Sequence, residues 1–238
     1  MEEFLAKQKL LVIAPHADDE VFGCAGTMAK VKSLGGEVYV VVVSVGDIEQ
    51  YTGHSIEMQT GKTRKEEFLK ALEIVGVDDY DILFDEPRLH LRLDTIPRRD
   101  LIEKLERTGK LAMDKLQPTI VTLPAISYNQ DHEAVFRAGF TACRPHVPWV
   151  KPFQRIVLAY DNTSLSWAME REKFHPNFYV DISAYLDKKL AALNCYNSQA
   201  KPSVHHASVE NVANWAKVRG REVSVEAAEA YMCLRFVL

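Results

Sequence analysis

The sequence predicts a doubly wound α/β fold with a mostly parallel sheet. Short, wholly apolar runs rich in branched residues, the mark of strands buried on both faces, alternate with longer amphipathic segments at helical spacing. Dense polar clusters also follow two of those runs, where open α/β sheets place their ligands. Residues 9–14 (Lys-Leu-Leu-Val-Ile-Ala) open the pattern as a strand. Residues 20–34 carry Val21, Met28, Val31 and Leu34 at mostly helical spacing, and 37–45 form a second strand after the Gly35-Gly36 turn. A strand–helix–strand unit in one sheet implies a right-handed crossover. Residues 62–75 read as a helix with Phe68, Leu69, Leu72 and Val75 on one face and Gly76 at the position of a left-handed cap. A short strand at 81–84, a long helix over 98–116 ending before Pro118, a buried strand at 119–123, a helix at 131–142 and a strand at 154–160 follow. From about 175 the pattern becomes helical, at 183–196, 208–219 and 225–233. With no repeat or Gly/Ser-rich linker, the chain reads as one Rossmann-like domain: a core over 8–160 and a helical C-terminal elaboration over 175–238. The polar, turn-like stretch 46–62 has the composition of a lid.

The 238 residues carry 29 Lys+Arg against 33 Asp+Glu, a formal net charge of -4, with 47% hydrophobic and 26% charged residues. That is the make-up of a soluble globular protein and excludes disordered, collagen-like and coiled-coil chains. Mild acidity argues against a nucleic-acid binder. No run approaches the roughly 18 apolar residues of a membrane helix. The acidic start lacks a secretory signal's apolar run, and the four dispersed cysteines (Cys24, Cys143, Cys195, Cys233) form no close framework. A cytoplasmic setting is the expectation.

The first polar cluster, Pro15-His16-Ala17-Asp18-Asp19-Glu20, directly follows the first strand; the second, Tyr128-Asn129-Gln130-Asp131-His132-Glu133, lies just beyond the strand at 119–123. Neighbouring strands would bring the two together. His16 and Asp19, three apart, share a face of a turn. With His132 they make a two-His, one-carboxylate set of the kind catalytic zinc uses while keeping a position open for water; a similar set holds iron. Asp18 would point elsewhere, towards that open position, and could take a proton from the activated water. The plainer reading makes Asp18 to Glu20 a helix-capping acidic run and His132 a surface residue. Two complementary clusters at two strand ends favour the metal. Gly23 and Gly26 do not make a dinucleotide site: G-x-G-x-x-G is absent, and the acids would repel a pyrophosphate. They read as small residues for close helix–sheet packing.

Ala14-Pro-His-Ala-Asp-Asp-Glu20 resembles the (A)HPDDE signature of the LmbE/PIG-L family of zinc-dependent N-acetylglucosaminyl deacetylases, and Asn129-Gln-Asp-His132 resembles its HPDH signature. Arg64-Lys-Glu-Glu with Ala71 and Leu72-Glu-Ile-Val-Gly76, Leu93-Asp94, and a tail with Lys189, Tyr196-Asn-Ser-Gln199, Arg219-Gly220 and Ala228-Glu-Ala-Tyr231 extend the likeness over nearly the whole chain. The resemblance implies His16, Asp19 and His132 as ligands of Zn2+ (Fe2+ or another divalent ion being the alternative) and Asp18 as general base. It implies Arg64 and Asp94 on sugar hydroxyls, and Asp131 orienting a neighbouring histidine or water. Two positions depart from it. Ala17 replaces a proline, and Asn129 replaces the histidine that donates a proton or stabilises the oxyanion. An asparagine can donate a hydrogen bond but no proton, so Asp18 is left to carry the proton both ways.

His205 and His206 are alternative donors, though the plainer reading leaves them exposed. His90, Arg92 and Arg88 could line a polar sugar site, with a polar strand edge as the plainer reading. Tyr128, Trp149 and Trp167 could stack on a sugar ring, with half-buried packing as the plainer reading. Glu20 is read as anchoring the loop or capping the helix. The function implied is removal of acetyl from an N-acetyl amino sugar, a small-molecule substrate, by an enzyme with no nucleic-acid or membrane partner and room for self-assembly. The rivals are an amidase of a thiol–sugar conjugate and a sugar-binding relative impaired at Asn129.

Overall fold

The computed structural model describes residues 2–52, 55–147, 149–151, 153–167 and 174–237. A short helix α1 (Glu2–Leu5) leads into β1 (Lys9–His16), buried along nearly its whole length. Helix α2 (Asp19–Ser33), strand β2 (Glu37–Ser44), and a two-stranded hairpin β3 (Ile48–Thr52) and β4 (Ser55–Gln59) come next. The hairpin and its approach occupy the stretch with a lid-like composition. Helix α3 (Gly61–Val75) ends at Gly76 with φ 88, the left-handed cap read from the sequence. Strand β5 (Asp79–Phe84), helices α4 (Arg98–Glu103) and α5 (Met113–Leu116), and β6 (Ile120–Pro124) lead to α6 (Gln130–Ala142). Strands β7 (Ile156–Tyr160) and β8 (Phe178–Asp181), helices α7 (Leu186–Leu193) and α8 (Val209–Arg221), and β9 (Ala228–Phe236) follow.

The seven-stranded sheet runs β5-β2-β1-β6-β7-β9-β8. Strands β5, β2, β1, β6 and β7 are mutually parallel, and β9 runs antiparallel to both β7 and β8. Alternation along β1 sends Leu10, Val12 and Ala14 to one core and Leu11 and Ile13 to the other. Helices α2, α3, α7 and α8 cover the first face, and α4, α5 and α6 the second. Helix α2 lies close to the sheet because Gly23 sits against the Tyr160 ring, where a Cβ would come within 2.2 Å of Cδ2. From β1 the chain winds to β2 on one side and pairs with β6 on the other, so the sheet's switch point lies between β1 and β6.

Three sequence expectations are corrected. Residues 225–233 are not helical: β9 slots between β7 and β8, and ladder bonds on both sides outweigh the helix preference of Ala and Glu. The helix expected over 98–116 is broken. A π-turn at 104–108 follows α4, and the chain breaks at Gly109 before α5. There Glu106, 2% exposed, is held by Arg144 and Lys151. The strand β8 lies in a stretch the sequence reads as the start of a helical tail. No helix among the described residues is long and apolar enough to cross a membrane.

Candidate metal centre

Parallel strands β1 and β6 deliver both polar clusters to one edge of the sheet. At the end of β1 the chain turns sharply into α2, and Asp18 takes φ 127, a strained conformation for a residue with a side chain. Its carboxylate makes no capping hydrogen bond to α2, so the helix-cap reading fails for it and the group is uncommitted among the described residues. Its backbone N–H donates to Glu20 Oε2 at 3.0 Å, and Tyr196 OH donates to the other carboxylate oxygen of Glu20. Glu20 therefore anchors the turn.

At the second cluster Asn129 caps α6, its Oδ1 accepting from the N–H groups of Asp131 (3.0 Å) and His132 (3.3 Å). The amide Nδ2 is left as an uncommitted donor among the described residues. Asp131, fully buried, accepts from Leu93 N–H at Oδ1 and meets His16 Nε2 at 2.7 Å through Oδ2. That contact fixes the ring with Nε2 towards Asp131 and Nδ1 towards Asp19, 3.5 Å away. Across the site His132 Nε2 lies 3.2 Å from the same Asp19 oxygen. Asn162, just past β7, donates to Asp19 Oδ1 at 2.7 Å, and the His16 N–H donates to Oδ2.

His16, Asp19 and His132 thus present one donor atom each, all within 4.8 Å of one another. Bonds of about 2.1 Å at tetrahedral angles place neighbouring donors about 3.4 Å apart, close to both observed separations. His132 Nδ1 is buried without a partner among the described residues. The residues fit a divalent ion.

The electrostatics are those of a closely packed acidic site. Burial raises the Asp18 pKa well above the usual carboxylate range, and the Asp19 charge adds to this against the pull of Arg64. Burial would also raise Asp19, but the His132 charge and hydrogen bonds from both histidines hold it far below that range. Burial pushes Glu20 up to about 7 against its hydrogen bonds from Tyr196 and the backbone. Burial alone would lower His16, yet hydrogen bonds to Asp131 and Asp19 raise it to about 9.

Beneath the site stands a layer the sequence did not show. His90 meets the His16 ring edge-on, centroids 5.0 Å apart. Its Nε2 is bonded to Arg64 and its Nδ1 lies 3.1 Å from Ser44 Oγ. A guanidinium can only donate, so His90 accepts at Nε2 and carries its proton on Nδ1. Burial, with His16 and Arg64, pushes its pKa down to about 2. Arg64, expected on the sugar, is 2% exposed and bonded to Gly46 O and His90, so it supports the site from below. Asp94, also expected on the sugar, is exposed and lines a different cavity of about 520 Å³ with Arg98, Gln130, Glu133 and Arg137.

The aromatic residues Tyr128, Trp149 and Trp167 are exposed rather than half-buried, at 74%, 84% and 67%. His205 and His206 are half-buried and line a cavity with Asp18 rather than standing free. Sequence reasoning missed Asn162 as part of the site, named Tyr196 only within the family-like tail without a role, and set His90 aside as a polar strand edge. For Asn162 a signal existed: Asp161-Asn162 directly follows the apolar strand at 154–160, as the two recognised clusters follow theirs.

A family described as GlcNAc-PI de-N-acetylase (PIG-L) matches residues 11–143. The chain is 29% identical over 196 residues to the uncharacterized deacetylase YaiS of Escherichia coli, covering 81% of this chain and 92% of that protein. It is 26% identical over 204 residues to the diacetylchitobiose deacetylase of Thermococcus kodakarensis, covering 83% of this chain and 72% of that one. Among solved structures it resembles a conserved protein of Thermus thermophilus, at 26% identity and TM-score 0.72, over 97% of this chain and 96% of that one.

Proposed function

Because the chain belongs to the PIG-L/LmbE family of GlcNAc-PI de-N-acetylases, we propose that it is a metal-dependent hydrolase that removes acetyl from an N-acetylated amino sugar or its conjugate. The observation that carries this reading is the convergence of His16, Asp19 and His132 on one point, with Asp131 behind His16. The family's relatives named above include deacetylases, one of them acting on diacetylchitobiose.

His16 Nδ1, Asp19 Oδ2 and His132 Nε2 would hold the ion, zinc being the choice that suits this donor set. When bound, a divalent ion supplies Lewis-acid polarisation of the acetyl carbonyl and makes water more acidic. Asp18, free of any capping bond, takes the proton from the attacking water. Asn129 Nδ2 donates a hydrogen bond to the oxyanion that develops as the carbonyl becomes tetrahedral. When the C–N bond breaks, Asp18 returns its proton to the departing nitrogen, so acetate and a free amine result. Asp131 holds the His16 ring, and Arg64 with His90 closes the floor. Asp94 meets only the outer part of a substrate long enough to reach it. The four free cysteines suit a reducing cytoplasm.

The test joins metal content with chemistry. Elemental mass spectrometry of untagged protein should find about one equivalent of zinc or iron per chain, largely lost in His132→Ala. Acetate release should follow on N-acetylglucosamine and diacetylchitobiose, with release of the free amino sugar read in parallel on a thiol–sugar amide. A chain that takes up no ion from zinc-containing buffer would end the hydrolase reading. Turnover of the thiol–sugar amide alone would favour the amidase.

A further inference from the structure

Beside Asp18 lies a cavity of about 470 Å³, walled for the most part by the stretch from Leu193 to Glu210. Its volume is within the range of small-molecule sites. The lining is rich in donors that the protein leaves unspent. Lys201 gives one N–H to Gln50 on β3 and has no acidic hydrogen-bond partner among the described residues. Gln199 Nε2 is buried with no partner among the described residues. The Ala207 N–H donates to His205 Nδ1 at 3.0 Å. A backbone amide can only donate, so the neutral His205 ring carries its proton on Nε2 and is a donor there. His206 packs against it with ring centroids 4.0 Å apart.

Charge points the same way. Burial, then the positive charges of His206 and Lys201, lowers the His205 pKa. Burial lowers Lys201, and Asp18 opposes it. Among the described residues, the only acids on the lining are Asp18 and the exposed Glu210. Cation-forming groups that disfavour one another's charge, beside a buried N–H without an acceptor, complement an acceptor-rich anion.

We propose that this cavity seats an anionic substituent of the substrate, phosphate or carboxylate, against Lys201, Gln199 and His205, while the N-acetyl group lies at the metal centre past Asp18. The inference rests on the deacetylase reading and narrows it to N-acetyl sugars that carry a negative group. Asp18 belongs to both the turn at the metal centre and the cavity wall, so the two spaces adjoin.

Acetate release is to be compared for uncharged methyl N-acetylglucosaminide, N-acetylglucosamine 1-phosphate and an N-acetylglucosaminide with a carboxylate aglycone. Each is assayed with wild type, Lys201→Gln and Lys201→Arg, folding being checked by circular dichroism and Tm. The expected kcat/KM for at least one charged sugar is about tenfold above the uncharged one, carried in KM. The charged-to-uncharged ratio should fall towards one in K201Q and be largely kept in K201R. Which charged sugar gains separates phosphate from carboxylate. Equal kcat/KM for charged and uncharged sugars, or a preference that survives K201Q, overturns the inference and leaves the deacetylase reading intact. If no sugar releases acetate, that reading falls, and calorimetric titration with the same sugars decides the inference alone. Tighter binding of a charged sugar, lost in K201Q, upholds it; equal or undetectable binding overturns it.

Discussion

Asp131 shows how a residue that touches no substrate can set a site's chemistry. Its carboxylate joins Leu93 N–H on one side to His16 Nε2 on the other. Replacement of such a partner weakens metal binding by roughly 10–100-fold. Asp131→Asn should therefore require that much more free zinc for half-occupancy in a competition titration, and an unchanged affinity would remove Asp131 from the site. Asn129 has two roles that substitutions can separate. Asn129→Ala loses both cap and donor, with a stability loss of about 1 kcal/mol and a rate loss of about 100-fold. Asn129→Asp keeps the cap oxygen and should match wild type in urea unfolding, yet remain as slow as the alanine variant. A fully active Asn129→Asp would show that the amide donates nothing to the reaction. At this scale the sequence was legible where functional residues lie on one local turn, as the ligands His16 and Asp19 do with Asp18 between them. Tyr196 and His90 were not legible, because each acts on a partner more than forty positions away.

Helix α2 carries Asp19 at its start and is gripped midway. In a regular helix the Phe22 carbonyl bonds the Gly26 N–H. Here Lys189 Nζ donates to Phe22 O at 2.7 Å, and Glu229 Oε1 accepts from Gly26 N–H at 2.9 Å. Lys189 and Glu229 bond each other at 2.6 Å, both buried, so α7 and β9 clasp the middle of α2. Removing one member of a buried pair strands the other charge, at about 3–5 kcal/mol. Lys189→Met should lose about that much in urea unfolding, and Lys189→Met with Glu229→Gln should regain part of it. A loss under about 1 kcal/mol for the single variant would show that the clasp holds nothing. The parallel strands were readable because burial on both faces leaves a continuous apolar signature, as in Val40 to Val43. Strand β9 was not, because Ala228-Glu-Ala-Tyr lacks that signature and takes its conformation from the two strands that flank it.

Across the whole molecule, the site draws on chain far beyond the matched residues 11–143. Asn162 orients Asp19, Tyr196 holds Glu20, and Glu229 grips α2. An ion joining β1, α2 and α6 through three ligands should therefore stabilise the fold globally. At a hundredfold excess over its Kd a bound ion contributes about 2.7 kcal/mol, so chelation should lower Tm by about 5–10 °C. His132→Ala should melt at the same temperature with or without the chelator. A wild-type Tm that stays put while elemental analysis shows the ion gone would mean that the ligands are held by the fold alone.

Among the described residues, strand β8 pairs with no strand of the sheet except β9, and β9 follows every other strand in chain order. A chain growing from its N-terminus can settle β1, β2, β5, β6 and β7 in order. Residues 178–181 must wait outside the sheet until 228–236 arrive to fill the gap between them and β7. The clasp on α2 closes at that same late moment, since Glu229 arrives with β9. On the ribosome, then, both polar clusters would be made early, while α2, which carries Asp19, would be gripped firmly only once β9 had been released.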